Sequence, residues 1–149
     1  MVLPGNTITQ SAKATKRFGA EFGHTVLKSG IELPNVLCLW GELGSGKTTF
    51  TQGLAKGFGI TSRLLSPTFI IVRRYDIPKT EKVLYHLDLY RMQGNADIEG
   101  LGFTDMLTDP NAFVVIEWPE LLENFLPEKR IDIRFGVLSS GDHEITIRS

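Results

Sequence analysis

The chain has 149 residues, of which 42% are apolar and 22% charged, and a formal net charge of −1. That length suffices to bury a proper core in one domain, and the near-neutral balance excludes a bulk electrostatic pull toward nucleic acid. A single cysteine excludes an internal disulfide and fits a reducing compartment. The N-terminal MVLPGNTITQSAKATKR has no apolar core of the kind a secretory leader needs, and every apolar run falls short of the roughly 20 residues of a membrane span. The expectation is a cytoplasmic protein whose residues 1–149 form one domain without a membrane segment.

In chain order, Ala14, Phe18, Phe22 and Val26 recur every fourth residue, which predicts a helix over about Ser11–Lys28 with Gly30 as its stop. Asn35–Trp40 (NVLCLW) reads as a buried parallel strand. GELGSGKT follows, then a helix over Lys47–Gly57. Thr68–Tyr75 is rich in β-formers, Pro78–Lys82 is a polar turn, and Val83–Leu89 is a further strand. A helix is predicted over Ala96–Leu107, broken near Gly100–Gly102. Ala112–Glu117 is a buried strand, and Pro119–Phe125 a short helix ended by Pro127. Ile131, Ile133 and Phe135 alternate with polar residues, as do Ile145 and Ile147, with the turn signal SSGD between them; this predicts an antiparallel hairpin. The sum is an α/β fold, a mostly parallel sheet flanked by helices with a C-terminal antiparallel hairpin.

Gly41-Glu42-Leu43-Gly44-Ser45-Gly46-Lys47-Thr48 matches G-x-x-x-x-G-K-[ST] in full. Chance places such a match in a chain of this length in under about one case in a hundred. A strand precedes it and a helix follows, as the mechanism of a phosphate-binding loop requires. Glycines let backbone N–H groups point inward as an anion nest, and the helix N-terminus adds its dipole. Lys47 would reach the β- and γ-phosphates and Thr48 would hold Mg²⁺. The nucleotide-contacting stretch is read as running on through Thr49. The plainer reading, a glycine-rich turn without a ligand, leaves the flanking strand and helix unexplained.

Such a loop needs an acid for the metal, usually at the end of a neighbouring apolar strand. VVIE ending at Glu117 and LYHLD ending at Asp88 both have that form, and their plainer readings are a surface acid and a cap. Sequence alone leaves the two unranked. No N-K-x-D guanine motif is present, and D-x-x-G occurs once, at Asp97–Gly100, without an apolar strand leading into it. ATP is therefore the expected nucleotide.

GELGSGKTTF, SPTF (Ser66–Phe69), YHLDLYR (Tyr85–Arg91) and IEWPE (Ile116–Glu120), in this order and spacing, make the chain similar to the bacterial TsaE (YjeE) family. The resemblance covers nearly the whole chain and implies a P-loop NTPase-like fold and an ATPase of tRNA threonylcarbamoyladenosine biosynthesis. It also implies work beside two partner proteins, TsaD and TsaB, with tRNA reached through that assembly, which ATP hydrolysis resets between turnovers. On this chain the resemblance implies Glu117 as the second magnesium contact beside Thr48, and Asp88 as the catalytic or switch acid. It implies Thr68 as a switch residue close to the γ-phosphate, and Thr15 and Trp118 as residues near the nucleotide. Glu42 and Ser45 depart from the family's common Asp and Ala, at positions where phosphate contacts come from backbone.

Other residues have plainer readings. Arg91 could stabilise charge in phosphoryl transfer, or simply pair with a carboxylate. Of Arg73 and Arg74, alternation sends one to solvent. His86 shares a strand face with Asp88, as a core histidine or one near the nucleotide. His24 and His143 have no companions at metal spacing, and Cys38 reads as a small buried hydrophobe. Two other functions fit a P-loop. A small-molecule kinase would use Asp88 as base, but Gly94–Pro110 holds no lysine or arginine to form a lid. A nucleotide-ordered scaffold would need no catalytic acid.

Overall fold

The computed structural model describes residues 5–29, 33–62, 72–90 and 102–149. Its elements are β1 (Asn6–Thr9), α1 (Ala12–Lys28), β2 (Val36–Trp40), α2 (Lys47–Gly57), β3 (Val72–Asp76), β4 (Val83–Asp88), α3 (Phe103–Thr108), β5 (Ala112–Glu117), β6 (Ile131–Val137) and β7 (His143–Arg148). Seven strands form one sheet in the order β1-β7-β6-β2-β5-β4-β3. The central pairings β6–β2, β2–β5 and β5–β4 are parallel. β3 on one edge and the β6–β7 hairpin with β1 on the other are antiparallel. The expected mixed sheet and C-terminal hairpin are therefore present.

The sheet buries both faces. On one, Phe22 and Val26 of α1 and Phe50 and Leu54 of α2 pack over Leu37, Leu39, Val115, Ile131 and Ile133. On the other, Phe103 and Leu122 pack over Val36, Cys38, Val114 and Ile116. The completely apolar runs of β2 and β5 follow from this burial, because a central parallel strand has no solvent face.

The two helices of the first face meet through glycines. A Cβ added at Gly53 would lie 2.0 Å from the Lys16 carbonyl oxygen, and one at Gly57 2.1 Å from that of Ala20. The reverse holds on α1, where a Cβ at Gly19 would lie 2.4 Å from the Phe50 oxygen. Two glycines four residues apart on each helix present one bare stripe, and the backbones approach to a distance no side chain permits. α1 begins at Ser11, whose hydroxyl accepts from the Ala14 N–H at 3.0 Å, a serine N-cap of the usual kind.

Differences from the sequence reading are local. β1 is an edge strand absent from that reading, because NTIT has no apolar alternation and Ile8 is exposed. Pro119–Phe125 forms two 3₁₀ turns instead of an α-helix; seven residues between a strand and Pro127 are too few to offset helix nucleation. α3 starts only at Phe103, after Gly102 in a left-handed conformation; residues 96–101 lie outside those described, as do Gly30 and the first half of the Thr68–Tyr75 stretch. Among the described residues no helix is long and apolar enough to cross a membrane.

Candidate functional site

β2, β4 and β5 all end at the same edge of the sheet, and their C-terminal ends carry the site, as in other open α/β sheets. The loop after β2 folds back on itself. The Ser45 N–H donates to the Glu42 carbonyl at 3.1 Å, and the Phe50 N–H donates to the Gly46 carbonyl at 2.9 Å, so α2 starts inside the motif. Gly46 has φ 108°, a conformation closed to other residues without strain. Gly41 is fixed by space as well, since a Cβ there would lie 2.6 Å from Ser45 Oγ and 2.8 Å from the Phe135 oxygen. Glu42, Leu43 and Gly44 form the exposed rim, and Ser45 is buried. Thr49 lies half-buried in the first turn of α2.

The Lys47 side chain curls back over this loop. Its ammonium donates to the Gly41 carbonyl and stands 3.5 Å from the centroid of the Trp118 ring, a cation–π contact. Burial pushes its pKa down, opposed by the carboxylates of Glu117, Glu120, Asp88 and Glu42. Trp118 reaches that place by a left-handed backbone, φ 64°, just after β5, and Tyr90 packs against it with ring centroids 5.0 Å apart.

The two acids are register partners, Asp88 of β4 against Glu117 of β5, yet they are differently engaged. Glu117 is 2% exposed. Its Oε1 accepts from the Thr48 hydroxyl at 3.0 Å, and its Oε2 meets Nε2 of the fully buried His86. Asp88 is half-exposed, and its Oδ1 accepts from the Tyr90 N–H at 3.1 Å. Burial raises the Asp88 pKa; the Tyr90 N–H, His86 and Lys47 pull it down, while the charge of Glu117 adds to the rise. One acid thus points at the loop threonine and the other, its register partner, stands beside it half-exposed.

The loop is also braced by the C-terminal hairpin. His143, at the start of β7, shares a hydrogen bond through Nδ1 with the Ser45 carbonyl at 2.7 Å; the carbonyl accepts, so Nδ1 carries the hydrogen. Thr15 is buried, exchanges a 2.6 Å hydrogen bond with the Thr9 hydroxyl, and places its methyl 3.7 Å from where a Gly46 Cβ would be. Thr15 therefore stands against the loop. His143 was missed, because ninety-eight residues separate it from Ser45 and no local pattern links them. Thr68, Arg91 and the D-x-x-G stretch lie outside the described residues.

The structure sorts the remaining candidates. Arg74 is the exposed one of its pair and meets Asp76 at 3.2 Å. Cys38 is buried in the second core cluster, and burial pushes its thiol up to about 12. The Trp40 indole donates to Asp132, with the Arg134 guanidinium 4.9 Å from its ring.

The donor set suits a hard divalent cation. A threonine hydroxyl and a glutamate carboxylate converge, both oxygen ligands, and among the described residues no group of three His, Cys, Asp or Glu side chains offers a cage. Mg²⁺ takes just such sparse protein ligation, completed by phosphates and water.

This geometry coincides with a family match. The family described as Threonylcarbamoyl adenosine biosynthesis protein TsaE matches residues 9–144. The chain belongs to that family. A TsaE of Treponema pallidum is 36% identical over 94% of this chain and 97% of its own length. That of Bacillus subtilis is 40% identical over 75% of this chain and 68% of its own. The crystal structure of Bacillus subtilis YdiB superposes with a TM-score of 0.73 at 32% identity, covering 99% of this chain and 86% of that one. In this chain the Gly41–Thr48 loop, the two strand-end acids and the tryptophan gather at one edge of the sheet.

Proposed function

We propose that this TsaE chain binds and hydrolyses ATP with Mg²⁺ in the cytoplasm, as the ATPase subunit of tRNA threonylcarbamoyladenosine modification. The observation that carries the reading is the contact between the Thr48 hydroxyl and the Glu117 carboxylate, at 3.0 Å, inside a complete phosphate-binding motif. The names of its relatives, tRNA threonylcarbamoyladenosine biosynthesis proteins, support the pathway. The resemblance of its four motifs to the family supports TsaD and TsaB as partners and tRNA as an indirect one.

The residues divide the work as follows. Backbone N–H groups of Gly41 to Thr48, with the first turn of α2 to Thr49, cradle the phosphates. Lys47 is held ready by the Gly41 carbonyl and the Trp118 ring. Because burial disfavours its charge, it gains by meeting a phosphate oxygen. Thr48 and Glu117 would hold Mg²⁺, which neutralises charge on the phosphates. Asp88 is close by as the register partner of Glu117, burial raises its pKa, and a carboxylate so placed can accept a proton. It orients the attacking water. Trp118 and Tyr90 wall the site from solvent. Thr68 acts as the switch near the γ-phosphate, and Thr15 supports the loop from beneath.

The test is ATP turnover by the chain alone and with TsaD and TsaB, with and without tRNA. Turnover that rises sharply with the partners supports the reading. Turnover that is brisk alone and indifferent to them overturns it, and a phosphorylated small acceptor found by mass spectrometry would replace it with a kinase.

A further inference from the structure

Glu117 uses both carboxylate oxygens, one on Thr48 and one on His86. His86 is completely buried on β4, two residues before Asp88 and on the same face of the sheet. Its other ring nitrogen, Nδ1, has no hydrogen-bond partner among the described residues. Buried polar atoms without partners are few in native proteins, and each asks for an explanation. The residue opposite His86 across the β3–β4 pairing is Arg73, and its Nε is a second buried atom without a partner. Opposed residues of an antiparallel pair project to one face. A bare imidazole nitrogen accepts and an arginine Nε–H donates, so the two gaps are complementary.

We infer that His86 is the positioning residue for Glu117. Its Nε2–H donates to Oε2 and fixes the carboxylate plane, leaving Oε1 directed at the Thr48 side of the loop. Arg73 donates to Nδ1, directly or through one bridging water, and so selects the Nε2–H tautomer. Carboxylates that hold metal ions commonly depend on such outer hydrogen bonds for orientation. The catalytic consequence rests on the ATPase reading; the Arg73–His86–Glu117 arrangement does not. It ties β3, the strand that follows the Ser66–Phe69 segment in sequence, to the acid proposed for the metal.

Two measurements decide it. The first titrates Mg²⁺ into the full chain with ADP, read by tryptophan fluorescence, for wild type, His86→Gln and His86→Leu. His86→Leu should need about 10- to 100-fold more Mg²⁺ for half-maximal response, with ADP binding in chelator unchanged. His86→Gln, which keeps an N–H donor, should recover most of the loss. An unchanged Mg²⁺ requirement in His86→Leu, or equal loss in both variants, overturns the inference. The second reads the His86 tautomer by ¹⁵N NMR in the wild-type chain without nucleotide, and so decides even if the leucine variant does not fold. Nε2–H is expected, giving way to a mixture in Arg73→Met. An Nδ1–H tautomer overturns the inference, and an unmoved Nε2–H signal in Arg73→Met removes Arg73 from it. A wild-type chain that binds no ADP at any Mg²⁺ concentration sinks the ATPase reading, while the tautomer still rules on the contact.

Discussion

The two walls of the site are built in opposite ways. The phosphate-loop wall, Gly41–Thr48, is one continuous stretch whose shape comes from its own glycines and its own hydrogen bonds. The acid wall, His86, Asp88 and Glu117, is assembled from two strands and exists only because β4 and β5 pair in one register. A slip of one residue would turn Glu117 away from Thr48. The contiguous wall has an exposed rim, Glu42 and Leu43. In the assembled wall His86 and Glu117 are buried and joined to each other, while Asp88 is half-exposed. Chemistry that needs geometry more than sequence is placed where the core enforces it.

Five substitutions test these walls and their support, in falling order of effect. Asp88→Asn keeps the shape of the acid wall and removes its accepting charge. Turnover should fall about 10²- to 10⁴-fold, with ATP affinity little changed in a binding titration. If affinity collapses instead, the division of roles between Asp88 and Glu117 is wrong.

Thr48→Ala and Glu117→Ala remove the proposed cation ligands, one from each wall. Both should raise the Mg²⁺ needed for nucleotide binding, by about 10- to 100-fold, while binding in chelator persists. Equal affinity with and without Mg²⁺ in wild type would remove the basis for pairing them.

Gly53→Ala attacks neither wall but the seat of the loop helix. The added Cβ would meet the Lys16 carbonyl at 2.0 Å, so α1 and α2 must part. Overpacking of this kind costs about 1–3 kcal/mol, read as a lowered thermal midpoint. An unchanged midpoint would mean the helix contact is looser than the distance implies. His143→Leu, at the edge of the contiguous wall, should cost about 1 kcal/mol through the lost bond to Ser45 and weaken nucleotide binding about fivefold.

The smallest effect is a pH dependence. The Asp88 pKa is raised in the folded chain, chiefly by burial. The folded state then holds that proton more tightly than the unfolded one, so stability falls as pH rises from the ordinary aspartate value through the raised one. Asp88→Asn should flatten this part of the stability profile and leave the variant slightly more stable at neutral pH. A steeper profile in the variant would reverse the sign assigned to Asp88.

Much of the fold was legible because the signals were local and strong. The apolar runs of β2 and β5, the alternation in β6 and β7 and the four-residue spacing in α1 each reflect burial of one element. The P-loop helix was placed from Lys47 to Gly57, as found. β1 escaped because an edge strand with a solvent-facing isoleucine has no pattern to detect. Of the candidate site, Lys47, Thr48, Asp88 and Glu117 were readable as motif or strand-end residues. The stripes Gly19/Gly23 and Gly53/Gly57 stood in the sequence at four-residue spacing, but their meaning needs the partner helix.

By itself the sequence determined that this chain carries a complete G-x-x-x-x-G-K-[ST] motif between a buried strand and a helix, and that two acids end apolar strands. Those are statements about single elements, and single elements are governed by backbone geometry and by which residues water will not solvate cheaply. Only the tertiary structure decided that Glu117 meets Thr48 while its register partner Asp88 stays half-exposed. It alone brought His143 from the far hairpin to the loop, laid Trp118 beneath Lys47, and buried His86 between Glu117 and the strand of Arg73. Each of these is a contact across dozens of residues, set by strand register and helix docking, which no window of sequence contains.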